Sequence, residues 1–125
     1  MAFISCNHNG VVYHASTLLE GVAHGFSTRL GGVSRGVFAS LNFRASGPNP
    51  DDRENYRRFC AAVGADPAGL VLSKQVHRDT VRHVTAADRG KGFSVPSDYT
   101  ADALVTDEPG LGLMVFSADC IILLL

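Results

Sequence analysis

Leu70-Val71-Leu72-Ser73-Lys74-Gln75-Val76-His77 decides the class of this chain. An apolar run that begins just after Pro67 reads as a β-strand, and it places His77 at its end. Downstream, Thr80-Val81-Arg82-His83-Val84-Thr85 reads as a second strand. Asp102-Ala103-Leu104-Val105-Thr106 and Leu111-Gly112-Leu113-Met114-Val115-Phe116 read as two more, on either side of the turn Asp107-Glu108-Pro109-Gly110. Upstream, the period changes. Tyr56, Phe59, Cys60 and Val63 recur at helical spacing, with Asp51 as N-cap, Glu54 in the capping-box position and Gly64 as the stop. Val11-Val12-Tyr13 and the segment from Gly21 to Ser27 are two further short strands. Strands around one clear helix predict an α+β fold.

Residues 29–50 are rich in Gly, Ser, Asn and Pro and read as one long ordered loop, which Phe38, Leu41 and Phe43 can pin to a core. A loop of about twenty residues inside a compact domain is usually functional or disordered, and the embedded apolar residues favour function. At the other end, Ser117-Ala118-Asp119-Cys120 runs into Ile121-Ile122-Leu123-Leu124-Leu125. An apolar run of that kind predicts the interior of a buried strand with neighbours on both faces. The expectation is therefore of an incomplete domain over residues 1–125.

The composition sets limits on function. The chain has 125 residues, 46% of them hydrophobic, enough for one ordinary globular domain. Its formal net charge of -1 arises from 11 basic and 12 acidic residues interspersed along the sequence, which provides no field to gather nucleic acid. Cys6, Cys60 and Cys120 cannot all pair and none lies in a Cys-x-x-Cys spacing, so a reducing, cytoplasmic setting is expected. The N-terminus shows no secretory signal. The apolar tract from Leu111 to Leu125 is too short for a membrane span, and Asp119 interrupts it.

The chemistry-bearing candidates are few. Cys60 falls on the apolar helix face and reads as a core residue. His77 and Cys120 both fall at ends of predicted strands, where distant segments converge on pockets. Imidazole and thiolate suit zinc, and they equally make a nucleophile and its base. A catalytic zinc site takes three protein ligands, and His8, His14, His24 and His83 have no spacing that groups them with this pair. Asp119 is either a carboxylate that orients a ligand or an ordinary turn residue. Arg29 beside Gly31-Gly32 is either a phosphate-binding guanidinium supported by backbone N–H groups or a solvated loop residue.

Five segments in order resemble a known family: His24-Gly-Phe-Ser-Thr-Arg-Leu-Gly-Gly-Val-Ser-Arg-Gly36, Ser40-Leu41-Asn42, Gln75-Val76-His77, Asp102-Ala103-Leu104-Val105-Thr106 and Ala118-Asp119-Cys120. They look like the motif set of the laccase-domain family, also called the multicopper polyphenol oxidase or purine nucleoside phosphorylase family. The resemblance runs from about His24 to the end of the chain. It implies an α+β fold of mixed β-sheets in layers with helices outside, and a zinc enzyme. The implied reaction is phosphorolysis of adenosine, inosine, guanosine or methylthioadenosine, with adenosine deamination as a second activity. The implied partners are a purine nucleoside and phosphate.

By the same resemblance His77 and Cys120 are metal ligands. Ser27, Arg29 and Asn42 bind substrate, and Asp119 supports the metal shell. The family's remaining ligand is a His in a later His-Ala-Gly-Trp-Arg-Gly motif, which this chain lacks; it contains no Trp. The expectation is an inactive N-terminal portion prone to self-association. Arg78 departs from the pattern, in which a small residue more often follows the His. Copper is not expected, because one His and one Cys cannot supply the many imidazoles of a multicopper cluster. Two other classes stand beside the zinc enzyme: a metal-free hydrolase with Cys120 as nucleophile and His77 as base, and a non-catalytic binding module.

Overall fold

A computed structural model of the chain describes residues 2–43 and 49–125. These divide into two compact units, Met1–Ala65 and Asp66–Leu125.

The first unit opens on a hairpin. Strands β1 (Phe3–His8) and β2 (Val11–Ser16) pair antiparallel with His8 opposite Val11. The two residues between them, Asn9 and Gly10, both have positive φ. Asn-Gly is a favoured pair for such a turn, whose backbone twist matches that of the flanking strands. β1 is absent from the sequence reading above, although Asn9-Gly10 signals it. The strand expected from Gly21 to Ser27 shortens to β3 (Phe26–Ser27), which pairs antiparallel with β2.

Helix α1 spans Pro50–Val63 and starts ahead of the expected cap. Asn49, not Asp51, is the N-cap: its side chain accepts from the Asp52 N–H at 2.9 Å while Asp52 accepts from the Asn49 N–H at 3.3 Å. Asp52 therefore does what was expected of Glu54, and Glu54 instead pairs on the surface with Arg57 and Arg58. Pro50 occupies the first turn, where a missing N–H costs nothing. The helix ends at Gly64 in the left-handed conformation, as expected. Tyr56, Phe59 and Cys60 are buried, so Cys60 is a core residue. Phe43 packs on both Tyr56 and Phe59, with ring centroids 5.0 and 5.4 Å apart, and the Tyr13 hydroxyl donates to the Ala62 carbonyl.

The second unit is built on parallel pairs. β4 (Leu70–Leu72) lies beside β7 (Gly112–Met114), and β5 (Val81–His83) beside β6 (Ala103–Val105). Each strand is shorter than the sequence predicts. Leu70, Val71, Leu72, Val84 and Ala101 are its buried apolar residues. Asp88 is buried too, and it accepts from the Thr85 N–H, Lys91 Nζ and Arg82 Nη2. Mixed parallel and antiparallel pairing with one long helix is the α+β class.

The strand expected at Ile121–Leu125 does not form, while the exposed apolar surface that favours self-association is present. Ile121 is 91% exposed, Leu123 75%, and among the described residues nothing pairs with this segment. An apolar run becomes a strand only where a sheet edge accepts its N–H and C=O groups, and no edge among the described residues does so.

Candidate functional site

Residues 29–43, the described part of the long loop, are tied together by their own polar groups; residues 44–48 of that loop lie outside the described set. Arg29 donates through Nε and Nη2 to the Ala39 carbonyl at 3.1 and 2.8 Å, and its own carbonyl accepts from the Ser40 N–H, the Leu41 N–H and the Ser40 hydroxyl. The N–H groups of Leu30, Gly32, Val33 and Ser34 are donated within the same unit. Of the Gly31-Gly32 amides expected to support phosphate, that of Gly32 is already engaged. Three of the five guanidinium N–H groups of Arg29 make no hydrogen bond among the described residues.

The Gly31-Gly32 pair has a packing cause. A Cβ at Gly31 would lie 2.4 Å from the Gly10 carbonyl oxygen, and one at Gly32 2.1 Å from that of Ser40. Asn55 of α1, fully buried, accepts from the Val33 N–H and donates to Ser34 Oγ and the Asn42 carbonyl. This anchor escaped the sequence reading, because an Asn inside a helix reads as a solvated position. Ser27, in β3, and Asn42 are half-buried, and the Ser27 hydroxyl and Asn42 side-chain amide make no hydrogen bond among the described residues.

In the second unit the two motif segments leave the same end of a parallel pair. The chain emerges from β4 toward His77 and from β7 toward Cys120. Just past the strands, the Gln75 side chain clasps the backbone of Phe116: Nε2 donates to its carbonyl at 2.9 Å and Oε1 accepts from its N–H at 2.7 Å. Two residues on, the Asp102 carboxylate accepts from three consecutive amides, Val76 (3.0 Å), His77 (2.8 Å) and Arg78 (2.9 Å). These donors, Arg78 foremost, hold the Asp102 carboxyl below its usual range. Past Leu72 the chain leaves β7 and bonds instead to residues 100–101: Ser73 Oγ donates to the Ala101 carbonyl, and the Lys74 carbonyl accepts from the Ala101 N–H. The Asp102 turn holds His77 at φ 60°, a left-handed conformation that costs a non-glycine residue about 1–2 kcal/mol.

The His77 ring makes no hydrogen bond among the described residues, whereas every other imidazole in the chain is engaged. His24 accepts from the Ser16 N–H at Nε2 and meets the Val22 carbonyl at Nδ1, which fixes a neutral tautomer. His14 meets Ser5, His8 meets Asn9 and His83 meets Asp107. Cys120 is an exposed free thiol, and its carbonyl accepts from the Ser117 hydroxyl. Asp119 is exposed and without a hydrogen bond to its carboxylate among the described residues. No group of three or more His, Cys, Asp or Glu among the described residues could hold a metal ion. No helix among them is long and apolar enough to cross a membrane.

Known proteins share this fold and part of this sequence. The chain is 41% identical over 106 residues to the purine nucleoside phosphorylase of Deinococcus radiodurans, covering 83% of this chain and 38% of that protein. It is 38% identical over 103 residues to the purine nucleoside phosphorylase YfiH of Escherichia coli, covering 82% of this chain and 40% of the relative. The crystal structure of YlmD from Geobacillus stearothermophilus superposes with a TM-score of 0.73 at 31% identity, over 90% of this chain and 43% of that one. That of the Bacillus licheniformis hypothetical protein YfiH gives a TM-score of 0.71 at 26% identity, over 86% and 41%. The chain thus spans about two fifths of the length of these relatives. The family described as multi-copper polyphenol oxidoreductase laccase matches residues 23–125. That span includes all five quoted motifs, the Gln75 clasp and the Asp102 turn, and the chain belongs to this family.

Proposed function

We propose that the full product of this gene is a zinc-dependent purine nucleoside phosphorylase acting on adenosine, inosine, guanosine or methylthioadenosine, with adenosine deamination as a second activity. The observation that carries this reading is the parallel pairing of β4 with β7, which sends the His77 and Cys120 segments out of one sheet end beside the Gln75 clasp. The relatives named purine nucleoside phosphorylase support it.

His77 and Cys120 would hold the metal. Imidazole and thiolate fit zinc by type but not by number, because a catalytic site takes three protein ligands and the described residues offer no such group. Bound zinc would supply a water of lowered pKa for deamination. Arg29 would orient phosphate with its remaining N–H groups, and its clamp on Ala39 would keep the guanidinium from swinging. Ser27 and Asn42 would offer a hydroxyl and an amide to the nucleoside, and Asp119 would orient the thiolate. The metal-free hydrolase is the weaker reading, since no hydrogen bond links His77 to Cys120 among the described residues and a nucleophile needs its base within reach.

The test is elemental analysis with a nucleoside assay on the full gene product. About one zinc per chain is expected, falling sharply in His77→Ala and in Cys120→Ala. Free base should be released from adenosine or inosine only when phosphate is present. Stoichiometric zinc in both variants would remove these residues from the site, and the absence of phosphate-dependent release would reject the phosphorylase.

A further inference from the structure

We infer that β1 is a pairing edge for a second copy of this chain: two β1 strands join antiparallel about a twofold axis at Ser5. No residue assigned above to metal, phosphate or nucleoside takes part.

The hydrogen bonding of the hairpin determines which groups of β1 are left over. The Thr17 N–H donates to the Ala2 carbonyl, which puts Ala2 among the residues bonded toward β2. Bonded residues alternate along an antiparallel strand, so Ile4, Cys6 and His8 also turn their backbone groups to β2. Val12, opposite Asn7, agrees: its N–H and carbonyl bond to Leu30 and Thr28 on the other side. Phe3, Ser5 and Asn7 therefore turn N–H and C=O outward, and no backbone group among the described residues meets them. Folded proteins blunt such an edge with lysine, proline, a bulge or a cover. Among the described residues β1 has none of these: Phe3-Ile4-Ser5-Cys6-Asn7-His8 contains no Asp, Glu, Lys, Arg or Pro, and its register with β2 is unbroken. Phe3 is 66% exposed and Ile4 and Phe26 50% each, so apolar surface lines the edge as well. The other edge strand of this sheet, β3, is two residues long and offers no comparable template.

A second copy fits because the edge is complementary to itself. With Ser5 on the axis, Phe3 faces Asn7 of the second copy and Ser5 faces Ser5, each pair exchanging two backbone bonds. Ile4 then faces Cys6 and Ala2 faces His8, so no two like charges meet. A charged peptide added to the same edge would find no countercharge in β1.

The test is sedimentation velocity of the 125-residue chain over about a hundredfold range of concentration, in a Leu123→Lys background that suppresses association through the apolar end segment. A reversible monomer–dimer equilibrium is expected. Ser5→Pro removes an outward N–H at the axis without touching a β1–β2 bond, and the dimer dissociation constant should rise about 10- to 100-fold. Ser5→Lys sets two ammonium groups face to face and should raise it about 10-fold, with recovery in added salt. Urea midpoints check that the hairpin survives each substitution, and Ser5→Lys decides alone where Ser5→Pro unfolds it. The register has its own readout. Ile4→Cys, with Cys120→Ser added, places a thiol opposite Cys6 of the second copy in a non-hydrogen-bonded pair about 4.5 Å apart at Cα, within disulfide reach. Mild oxidation should give a covalent dimer whose peptide map joins position 4 to Cys6. A chain that stays monomeric throughout would overturn the inference and leave the edge to a strand from a different chain. A dimer indifferent to the Ser5 substitutions would place the contact elsewhere and overturn it too. A dimer that weakens in Ser5→Lys but yields no such cross-link would overturn the twofold register at Ser5.

Discussion

Two motif-bearing regions of this chain use their polar groups in opposite ways. The Gly-rich segment 29–43 turns inward: Arg29, Ser40 and the amides of Leu30, Gly32, Val33 and Ser34 bond within their own unit, and α1 supplies Asn55 to close the set. The turn at 75–78 is held as firmly, by Gln75 and Asp102, but the holding is done by side chains that grip backbone, and the His77 ring is left over. A motif residue can therefore be retained for building a loop or for displaying a ligand. The difference lies in whether its side chain is consumed.

The largest effect should come from the consumed side. Asn55→Ala removes three bonds at a fully buried position and strands the Val33 N–H, so a loss of about 2–4 kcal/mol in urea unfolding is expected. His77→Ala and Cys120→Ala should change stability by no more than about 0.5 kcal/mol, as exposed positions do. If His77→Ala cost as much as Asn55→Ala, the contrast between the two regions would collapse.

The second unit also contains a consumed carboxylate for comparison. The Asp88 carboxyl is held down to about 2, chiefly by the Thr85 N–H and then by Lys91 and Arg82, against the opposing effect of burial. A carboxyl lowered on folding contributes stability that is present above its unfolded value and lost as pH falls through the folded one. The loss should therefore run between about pH 4 and about pH 2. Asp88→Asn should be less stable than the parent at neutral pH by about 1–3 kcal/mol and show a flatter acid limb in urea midpoints. An acid limb as steep as the parent's would show that other carboxylates carry the transition.

A smaller effect separates the two uses of Arg29. Lysine keeps the charge but cannot place two N–H groups on the Ala39 carbonyl. Arg29→Lys should lose about 1 kcal/mol of stability together with much of the phosphate-dependent base release. Lost turnover with unchanged stability would assign the guanidinium to substrate alone. Lost stability with normal turnover would make it a loop clamp.

What could be read beforehand follows the range of the interactions. The apolar face of α1 was legible because Tyr56, Phe59 and Cys60 repeat at the helix's own period. Its start was misplaced by two residues because Asp52 closes the capping box in place of the more usual Glu. The hairpin at Asn9-Gly10 was legible and went unread. The early end of β4 was not legible, since past Leu72 the chain bonds to the distant Ala101, and Asn55 could not be recognised as buried without the loop that crosses it. Ile121–Leu125 misled because hydrophobicity states a demand for cover and not its supply.

That last segment allows the smallest and cleanest test. In the 125-residue chain Ile121 and Leu123 are exposed and unpaired among the described residues, so Leu123→Lys should change urea stability by no more than about 0.5 kcal/mol. Its effect should appear instead in association. Exposed apolar side chains in sequence favour self-association, and a lysine among them adds charge and desolvation cost to any contact. The expected result is a concentration-dependent sedimentation coefficient for the parent chain and a lower one, closer to the monomer, for the variant. A loss of more than about 1 kcal/mol would place Leu123 in a packed environment and restore the buried strand expected from its composition.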